Sequence, residues 1–460
     1  MKTRREHIFY AFYNHTGMAR HLEKMAARGW MLDRITTNGS WRYHAIAPAK
    51  VHFAVAYFPT ASDFDAAPNE DLQYFLDLCE AAGWELAART FQMMIFCNRA
   101  ENPVPLETDP AIQVENIHTA MWSSYMWGKI LALGLGGYWL LKVLNDLDNS
   151  PAKTLSWYLP LLLTAMALLL IFHQGTELIA YYRWHSKAER IAKEENRFLP
   201  VSGSRMRDVV FYVALAVLLA AYAILENWRI ALACCLFSGA LLVLYRVAYA
   251  VRDAMKRRGV SRMRNRVLSF LLLYLLVFGL RYMEWSNMDW IVGDPHAKAE
   301  YTWQDRTYTA YCDTLPLTVE DFLPDADNSR YSNYLYHQGT PLAAITSGVQ
   351  YLRTGYYATE NQPDEFYYHV FRSDLDIVLE DGAMWRKSEM AFDFLKVAPM
   401  DSHLIDPAPY GAVTAWKNGM NYLLRYEGRV IQLSFSWYPT DDQLGQCITT
   451  LRSLSERSLL

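Results

Sequence analysis

Five apolar stretches in the middle of the chain limit its fold more than any other feature. They occupy residues 122–144, 155–182, 209–225, 230–251 and 267–285. A helix rises about 1.5 Å per residue, so roughly 20 apolar residues cross the hydrocarbon core of a bilayer. Buried helices of a large water-soluble protein are the alternative, but segments this long with so few charges are uncommon there. The pattern predicts a five-helix transmembrane bundle within residues 116–288, with the lipid bilayer as a partner.

Basic residues are concentrated in two of the segments that connect these stretches. Connecting segments rich in Lys and Arg usually face the cytoplasm. An odd number of spans then separates the two ends of the chain. The N-terminus is expected in the cytoplasm and the C-terminal domain outside it. The basic residues are Arg183, Lys187, Arg190, Lys193, Arg197, Arg205 and Arg207 after the second stretch, and Arg252, Lys256, Arg257, Arg258, Arg262, Arg264 and Arg266 after the fourth.

The regions on either side of the bundle, residues 1–115 and 289–460, are each long enough for a folded domain. The formal net charge is −4, and the last region holds far more Asp and Glu than Lys and Arg. Basic residues beside a membrane are typical of contact with anionic lipids and of topology signals. The charge pattern therefore favours a membrane surface and predicts no nucleic acid among the partners.

Recognisable catalytic and cofactor motifs are missing from the sequence. It contains no phosphate-binding Gly-rich loop, no His-Glu-x-x-His and no Gly-x-Ser-x-Gly. Its six cysteines form no Cys-x-x-Cys pair. The sequence therefore predicts no catalytic residue, no metal site and no cofactor, and an enzyme is the minority alternative. Cys312 and Cys447 would both lie outside the cytoplasm, where a disulfide between them is allowed.

The N-terminal region contains an internal duplication. Residues 25–32, Met-Ala-Ala-Arg-Gly-Trp-Met-Leu, recur as residues 79–86, Cys-Glu-Ala-Ala-Gly-Trp-Glu-Leu. Apolar residues at helical spacing precede both copies, and extended stretches flank each helix. The predicted strands cover residues 8–13, 31–36, 41–46, 51–58, 86–89 and 93–98, with a turn at Asn38-Gly39. The region is therefore expected to be an α+β domain, β-α-β-β twice, with helices on one antiparallel sheet.

The repeated Gly-Trp pair has a structural explanation. Gly29 and Gly83 stand where a left-handed residue ends a helix, and Trp30 and Trp84 would then pack back on its last turn. The alternative is that the two tryptophans line a ligand cleft between the repeats. Nothing polar recurs beside them in a catalytic arrangement.

The duplicated Gly-Trp after a one-sided helix, followed by five apolar stretches, resembles a family of bacterial membrane proteins of unknown function. The resemblance covers about residues 6–100 and, by general layout, the membrane block. Members are mostly from Gram-positive bacteria and are often encoded beside PadR-type transcription regulators. The resemblance implies location in a bacterial plasma membrane and a part in regulation or envelope response. It implies no catalytic residues.

A few ionisable residues fall inside the apolar stretches, where they are functional candidates by default. His173 and Glu177 are four residues apart and share one helix face, where, with Gln174, they could bind a cation or relay a proton. A helix-packing role near the membrane interface is the alternative. Arg246 could reach the interface or pair with Glu177, and Lys129 is expected to reach the interface. Gly134, Gly136 and Gly137 would let another helix approach closely, in this chain or in a second copy of a homo-oligomer.

The C-terminal region has the pattern of a second α+β domain. Residues 412–417, 420–426 and 429–437 alternate between apolar and polar around two Gly-containing turns, which predicts a three-stranded meander. Residues 441–454 follow as a helix, with Leu444, Ile448 and Leu451 on one side.

Two hypotheses for function follow. The first is a non-enzymatic sensor or regulatory protein that couples an outer ligand- or peptide-binding domain to a cytoplasmic domain that binds another protein. The second is a transporter, or an accessory subunit of one, that handles an ion or proton at the face of His173 and Glu177. Five spans without an inverted repeat disfavour a stand-alone secondary transporter.

Overall fold

The computed structural model describes residues 2–7, 10–35, 40–62, 64–90, 92–149, 151–201, 206–225, 228–286, 296–359, 362–375, 379 and 403–454. The chain divides into two compact units. One comprises Met1–Tyr138 and Met166–Ile291, and the other comprises Trp139–Ala165 and Val292–Leu460.

The N-terminal domain has the order β-α-β-β twice. Its elements are β1 (Thr3–His7), α1 (His15–Ala27), β2 (Trp30–Ile35), β3 (Ser40–Ala45), β4 (His52–Tyr57), α2 (Glu70–Ala81), β5 (Glu85–Thr90) and β6 (Met93–Asn98). The first strand lies earlier than the predicted residues 8–13, of which residues 8 and 9 lie outside the described residues. Residues 10–13 instead turn into α1: the Asn14 N–H donates to the Ala11 carbonyl at 2.8 Å, and the Asn14 side chain caps the helix by accepting from the Gly17 N–H at 2.9 Å. The predicted turn at Asn38-Gly39 lies outside the described residues.

The strands form two three-stranded antiparallel sheets, not the single sheet that the sequence predicts. Their orders are β1-β3-β2 and β4-β6-β5, so the last strand of each repeat is central. The edge strands β2 and β5 are neighbours. Each carries a register shift at the same repeat position, between Leu32 and Arg34 and between Leu86 and Ala88. Because a bulge interrupts the ladder and bends an edge strand, two edges with matching bulges do not join into one sheet.

The two repeat helices end as the Gly-Trp pairs predict. Gly29 and Gly83 have φ values of 82° and 81°, which is the left-handed region. After α2, the Gly83 N–H donates to the Glu80 carbonyl and the Trp84 N–H to the Cys79 carbonyl, both at 2.9 Å. These two bonds are the Schellman arrangement, which satisfies carbonyls at the end of a helix.

All five predicted apolar stretches are helical. The helices are α3 (Pro110–Met121), a π-helix (Trp122–Met126), α4 (Trp127–Asn149), α5 (Pro151–Ser156), α6 (Tyr158–Glu195), α7 (Met206–Leu225), α8 (Trp228–Arg257) and α9 (Arg262–Ser286). Three helical segments are long and apolar enough to cross a membrane: Trp127–Asp148, Tyr158–Glu195 and Arg207–Leu225. The structure therefore gives three candidate spans where the sequence predicts five. This count covers only residues that the structure describes, and some side chains of α8 and α9 are outside them.

Helix α6 is longer than predicted. Its 38 residues extend about 57 Å, well beyond the hydrocarbon core of a bilayer. The extension carries Arg183, Lys187, Arg190 and Lys193, which the sequence places in a loop. Ala188 and Ala192 are buried there against Val114 of α3, and this packing is what continues the helix.

One hydrophobic core of the first unit includes residues from the N-terminal domain and from the helices that follow it. Leu22 and Met25 of α1, together with strand residues such as Tyr43 and Ile95, belong to the same cluster as Ile117, Ala120, Met121, Met126, Tyr181 and Val201.

The second unit is built on a seven-stranded antiparallel sheet. Its order is β12-β13-β14-β15-β11-β10-β9, with β9 (Tyr331–Gly339), β10 (Ala344–Leu352), β11 (Glu365–Arg372), β12 (His403–Ile405), β13 (Thr414–Asn418), β14 (Asn421–Tyr426) and β15 (Arg429–Phe435). The predicted meander is β13–β15. Strands β7 (Lys298–Trp303) and β8 (Arg306–Tyr311) form a separate hairpin. Helix α10 (Asp441–Ser453) buries Leu444, Ile448 and Leu451 as predicted.

The disulfide that the sequence allows between Cys312 and Cys447 is not formed. Both are free thiols: Cys312 is exposed, whereas Cys447 is fully buried in the core beneath α10. Burial raises the pKa of the Cys447 thiol to about 12, which keeps it protonated and unreactive.

Candidate functional site

A buried ion pair joins α4 to α6. Lys129 Nζ lies 2.6 Å from Glu177 Oε2, and the exposed fractions of the two side chains are 11% and 12%. The same Nζ donates to Gln174 Oε1 at 3.3 Å. Withdrawing two charges from water is costly, so such a pair persists only where the charges are close and well hydrogen-bonded. The structure therefore gives Lys129 a partner, Glu177, that the sequence did not predict.

A second polar pair joins α6 to α7. His173 Nε2 lies 2.9 Å from Asp208 Oδ1, and both side chains are mostly buried. Arg207 Nε lies 3.8 Å from the same carboxylate oxygen. Asp208 thus stands between an imidazole and a guanidinium at the N-terminal turn of α7, where a negative charge also favours the helix dipole.

Gln174 connects the two pairs. Its Oε1 accepts from Lys129, and its Nε2 lies 3.4 Å from His173 Nδ1. If that amide donates, His173 Nδ1 is the acceptor and its Nε2 carries the proton that Asp208 accepts. The chain of contacts Glu177–Lys129–Gln174–His173–Asp208–Arg207 is hereafter the polar network, and it draws on three helices.

Tyr13 brings the N-terminal domain to the polar network. Its ring lies 5.1 Å from that of Tyr181 and 5.2 Å from that of Trp184, both on α6. Burial, and after it the negative charge of Glu177, raises the pKa of Tyr13, while Arg207 acts in the opposite direction. Charges on both α6 and α7 therefore affect the pKa of Tyr13, which lies just before α1.

The N-terminal domain also contacts both basic segments. The Val201 N–H, after α6, donates to Thr16 Oγ1 at 2.9 Å. In the first turn of α9, which carries the end of the second basic segment, Asn265 Nδ2 donates to the Phe64 carbonyl at 3.3 Å, and the Arg266 guanidinium lies 5.7 Å from the centre of the Phe64 ring. The domain and the two basic segments therefore lie on one side of the helices.

The structure brings together two of the three residues predicted for an intramembrane polar site. His173 and Glu177 both belong to the polar network, but the partner of Glu177 is Lys129. Arg246 is exposed on α8, so the alternative in which it pairs with Glu177 is replaced. Gln174, which the sequence already groups with His173 and Glu177, is also a member, whereas Lys129, Asp208 and Arg207 were missed as members. Their only signal in the sequence is that they are polar groups near the ends of apolar stretches.

The two tryptophans predicted as a possible ligand cleft occupy different cores. Trp84 is buried, packs in the core beside α2, and its Nε1–H donates to the Val104 carbonyl at 2.8 Å. Trp30 is half-buried against the core beneath α1, with Arg4 over its ring at 6.0 Å. These contacts support the packing role for both side chains.

The chemistry of the polar network is that of paired charges and shared protons. Within the described part of the chain, no group of three or more His, Cys, Asp or Glu side chains is arranged to hold a metal ion.

The fold and the polar network define the class of this chain: an α+β domain joined to helices of which, among the described residues, three are apolar and long enough to cross a membrane. Residues 17–130 match a family model described as a protein of unknown function (DUF2812). The match runs from α1 to the first residues of α4 and covers well under half of the chain. No curated protein and no solved structure matches the chain. The predicted resemblance to a family of unknown function is thus confirmed over that segment.

Proposed function

We propose that this chain is a non-enzymatic regulatory protein of a bacterial plasma membrane. An outer domain would bind a ligand or peptide, and the helices would pass the change to the N-terminal domain, which would bind a cytoplasmic protein. The observation that carries the proposal is the common core of the first unit. It contains Tyr181 of α6 together with Leu22 and Met25 of α1. Because close-packed cores shift between discrete arrangements, a movement of α6 would have to rearrange the domain.

The proposed sidedness combines geometry with charge. The domain touches both basic segments, at Val201 and at Asn265. Basic segments face the cytoplasm in most membrane proteins, which would place the domain there. The candidate spans lie in α4, α6 and α7; if α8 and α9 cross as well, the number of crossings is odd, and residues 289–460 would lie outside.

Tyr13 and the polar network are the proposed link. Tyr13 packs on α6 next to Glu177, and Glu177 is tied to α4 through Lys129. The Lys129–Glu177 pair is largely shielded from water, so its charges could separate only if each found a new partner. Such a pair would favour two distinct arrangements of the helices, one with the pair formed and one with it broken.

Transport of an ion or proton is the second candidate, favoured by the continuous polar chain across three helices. An ion passing there would have to displace Lys129 from Glu177 at 2.6 Å. Because Lys129 already neutralises Glu177, we favour regulation over transport.

The two candidates are separable by one pair of measurements on the same variants. A strain lacking the gene is complemented with the wild-type chain, Glu177→Gln or Tyr13→Ala, and its transcription is profiled under envelope stress. The purified chains are also reconstituted in vesicles containing a pH-sensitive dye. If the chain is a regulator, the wild type should restore the transcription profile, neither variant should restore it, and no chain should support proton flux. Flux that only the wild type supports, with all profiles alike, would replace regulation by transport.

A further inference from the structure

A cavity of about 530 Å³ opens in the N-terminal domain, where the end of β4, the start of α2 and the segment before α3 meet. Tyr57, Phe75 and Ile112 are among its apolar residues, and its carboxylates are those of Asp71, Glu107 and Asp109. No Lys, Arg or His belongs to its lining. The volume is within the range of roughly 300–1,000 Å³ that is usual for small-molecule sites.

Glu107 is the lining carboxylate that has a buried oxygen, Oε2, without a hydrogen-bond partner. Burial raises the pKa of Glu107 to about 7, and a hydrogen bond with Gln113 acts in the opposite direction. A buried acceptor without a donor is destabilising, and a bound cation would supply the missing partner.

Two other polar side chains of the cavity are already engaged, and a third adds to its negative charge. The Tyr57 hydroxyl donates to the Phe12 carbonyl. Asp109 caps α3, its Oδ1 accepting from the Ala111 N–H at 2.8 Å. Asp71 is exposed in the first turn of α2 and adds negative charge. The cation at the rim, Arg262, reaches the Thr60 carbonyl at 3.4 Å without entering the lining.

We propose that this cavity binds an organic cation, an ammonium group on a compact aromatic or apolar body, with Glu107 as its counter-charge. The apolar residues accept the body, and the lining combines the aromatic side chains of Tyr57 and Phe75 with the carboxylate, a combination that suits an organic cation. The site is separate from the polar network, so it stands or falls independently of the proposed regulatory function.

The ligand charge is tested with two probes of the same shape. The full chain in lipid nanodiscs is titrated calorimetrically with phenethylammonium chloride and with neutral 2-phenylethanol, with empty nanodiscs as the blank. The proposal predicts saturable binding of the ammonium, at least about tenfold tighter than that of the alcohol, since one pairing with a buried charge is worth about 1.4 kcal/mol or more. Equal affinities, or no saturable binding of the ammonium, would overturn it.

Two further arms assign the binding to Glu107. Glu107→Gln should weaken the ammonium about tenfold or more, while Glu101→Gln, which removes an exposed carboxylate of the same linker, should not. Glu107→Gln removes a buried charge without a partner, so its unfolding temperature should equal or exceed that of the wild type. Wild-type affinity should rise about tenfold from pH 6 to pH 8 as Glu107 ionises. A flat pH profile, or unchanged affinity in Glu107→Gln, would contradict the assignment.

Discussion

Lys129 Nζ and Glu177 Oε2 lie 2.6 Å apart and join two helices that the chain separates by the whole of α5. The pair is mostly buried, and Gln174 supports it with a second hydrogen bond to the ammonium. Next to it, Tyr13 extends from the N-terminal domain to α6. The paired charges therefore join α4 to α6, and aromatic packing joins α6 to the N-terminal domain.

Removing either charge of this pair should destabilise the protein more than removing both. Glu177→Gln or Lys129→Met leaves a buried charge without a partner, at a cost of about 3–5 kcal/mol, whereas the double variant with Glu177→Leu and Lys129→Met should recover most of it. Thermal unfolding in nanodiscs measures the difference. The control is Asp146→Asn, which breaks the half-exposed pair with Lys142 and should cost under about 1 kcal/mol. Equal losses in the single and double variants would count against a coupled pair.

Gly136 should be the one glycine of α4 that requires the absence of a side chain. A Cβ there would lie 2.8 Å from Cγ1 of Ile171 in α6, whereas one at Gly137 would meet nothing within 4 Å. Gly136→Ala is expected to cost about 1–3 kcal/mol by overpacking. Gly137→Ala should stabilise the helix by up to about 1 kcal/mol. The comparison is read from unfolding temperatures, and the reverse order would disprove this packing of α4 on α6.

Gly83 should tolerate asparagine better than alanine. Its φ of 81° costs an ordinary residue about 1–2 kcal/mol, while Asn adopts this conformation more readily. Gly83→Ala is therefore expected to lower the protection of α2 against hydrogen exchange more than Gly83→Asn does. Gly128→Ala, in open space on α4, is the control. Identical protection in all three variants would mean that the end of α2 does not need a left-handed residue.

The seven-stranded sheet should weaken in acid because of His369. This side chain is buried next to Ser347 Oγ, 2.7 Å from its Nδ1, and burial lowers its pKa to about 4. In the unfolded chain His369 has a pKa near 6.5, so between pH 6.5 and 4 it binds a proton that it does not bind in the folded chain. Stability therefore falls as the pH drops from about 6.5 to 4, by up to about 1.4 kcal/mol per pH unit.

Hydrogen exchange of β10 and β11, corrected for intrinsic rates, measures this loss. His369→Gln should remove that part of the acid sensitivity. His403→Gln, at an exposed position in β12, should not. Acid sensitivity that is the same in His369→Gln and in the wild type would assign it to other groups.

Local patterns predicted those parts of the fold that local forces determine. The Gly-Trp pairs at residues 29–30 and 83–84 mark real helix ends with positive φ. The apolar stretches are all helices, and the meander β13–β15 is present. In each case, the few consecutive residues that form the sequence pattern also make the interactions that stabilise the local structure.

Arrangements between distant segments were not predictable in the same way. The choice of Lys129 over Arg246 as the partner of Glu177 depends on how each helix is rotated about its axis, which apolar composition does not encode. The division into two sheets depends on bulges in β2 and β5. The alternation of apolar and polar residues, from which the strands were predicted, does not reveal these bulges. The extension of α6 depends on Val114, which lies far away in the chain and buries Ala188 and Ala192.

The sidedness of the two domains is the claim on which the regulatory account depends. It is tested by labelling intact cells with a membrane-impermeant maleimide, using chains that keep a single cysteine: Cys312, which is exposed in the C-terminal domain, or a cysteine introduced by Asp71→Cys in the N-terminal domain. We predict that Cys312 reacts in intact cells and that the position of Asp71 reacts only after permeabilisation. Labelling of the N-terminal position in intact cells, or protection of Cys312 until the membrane is opened, would contradict the account.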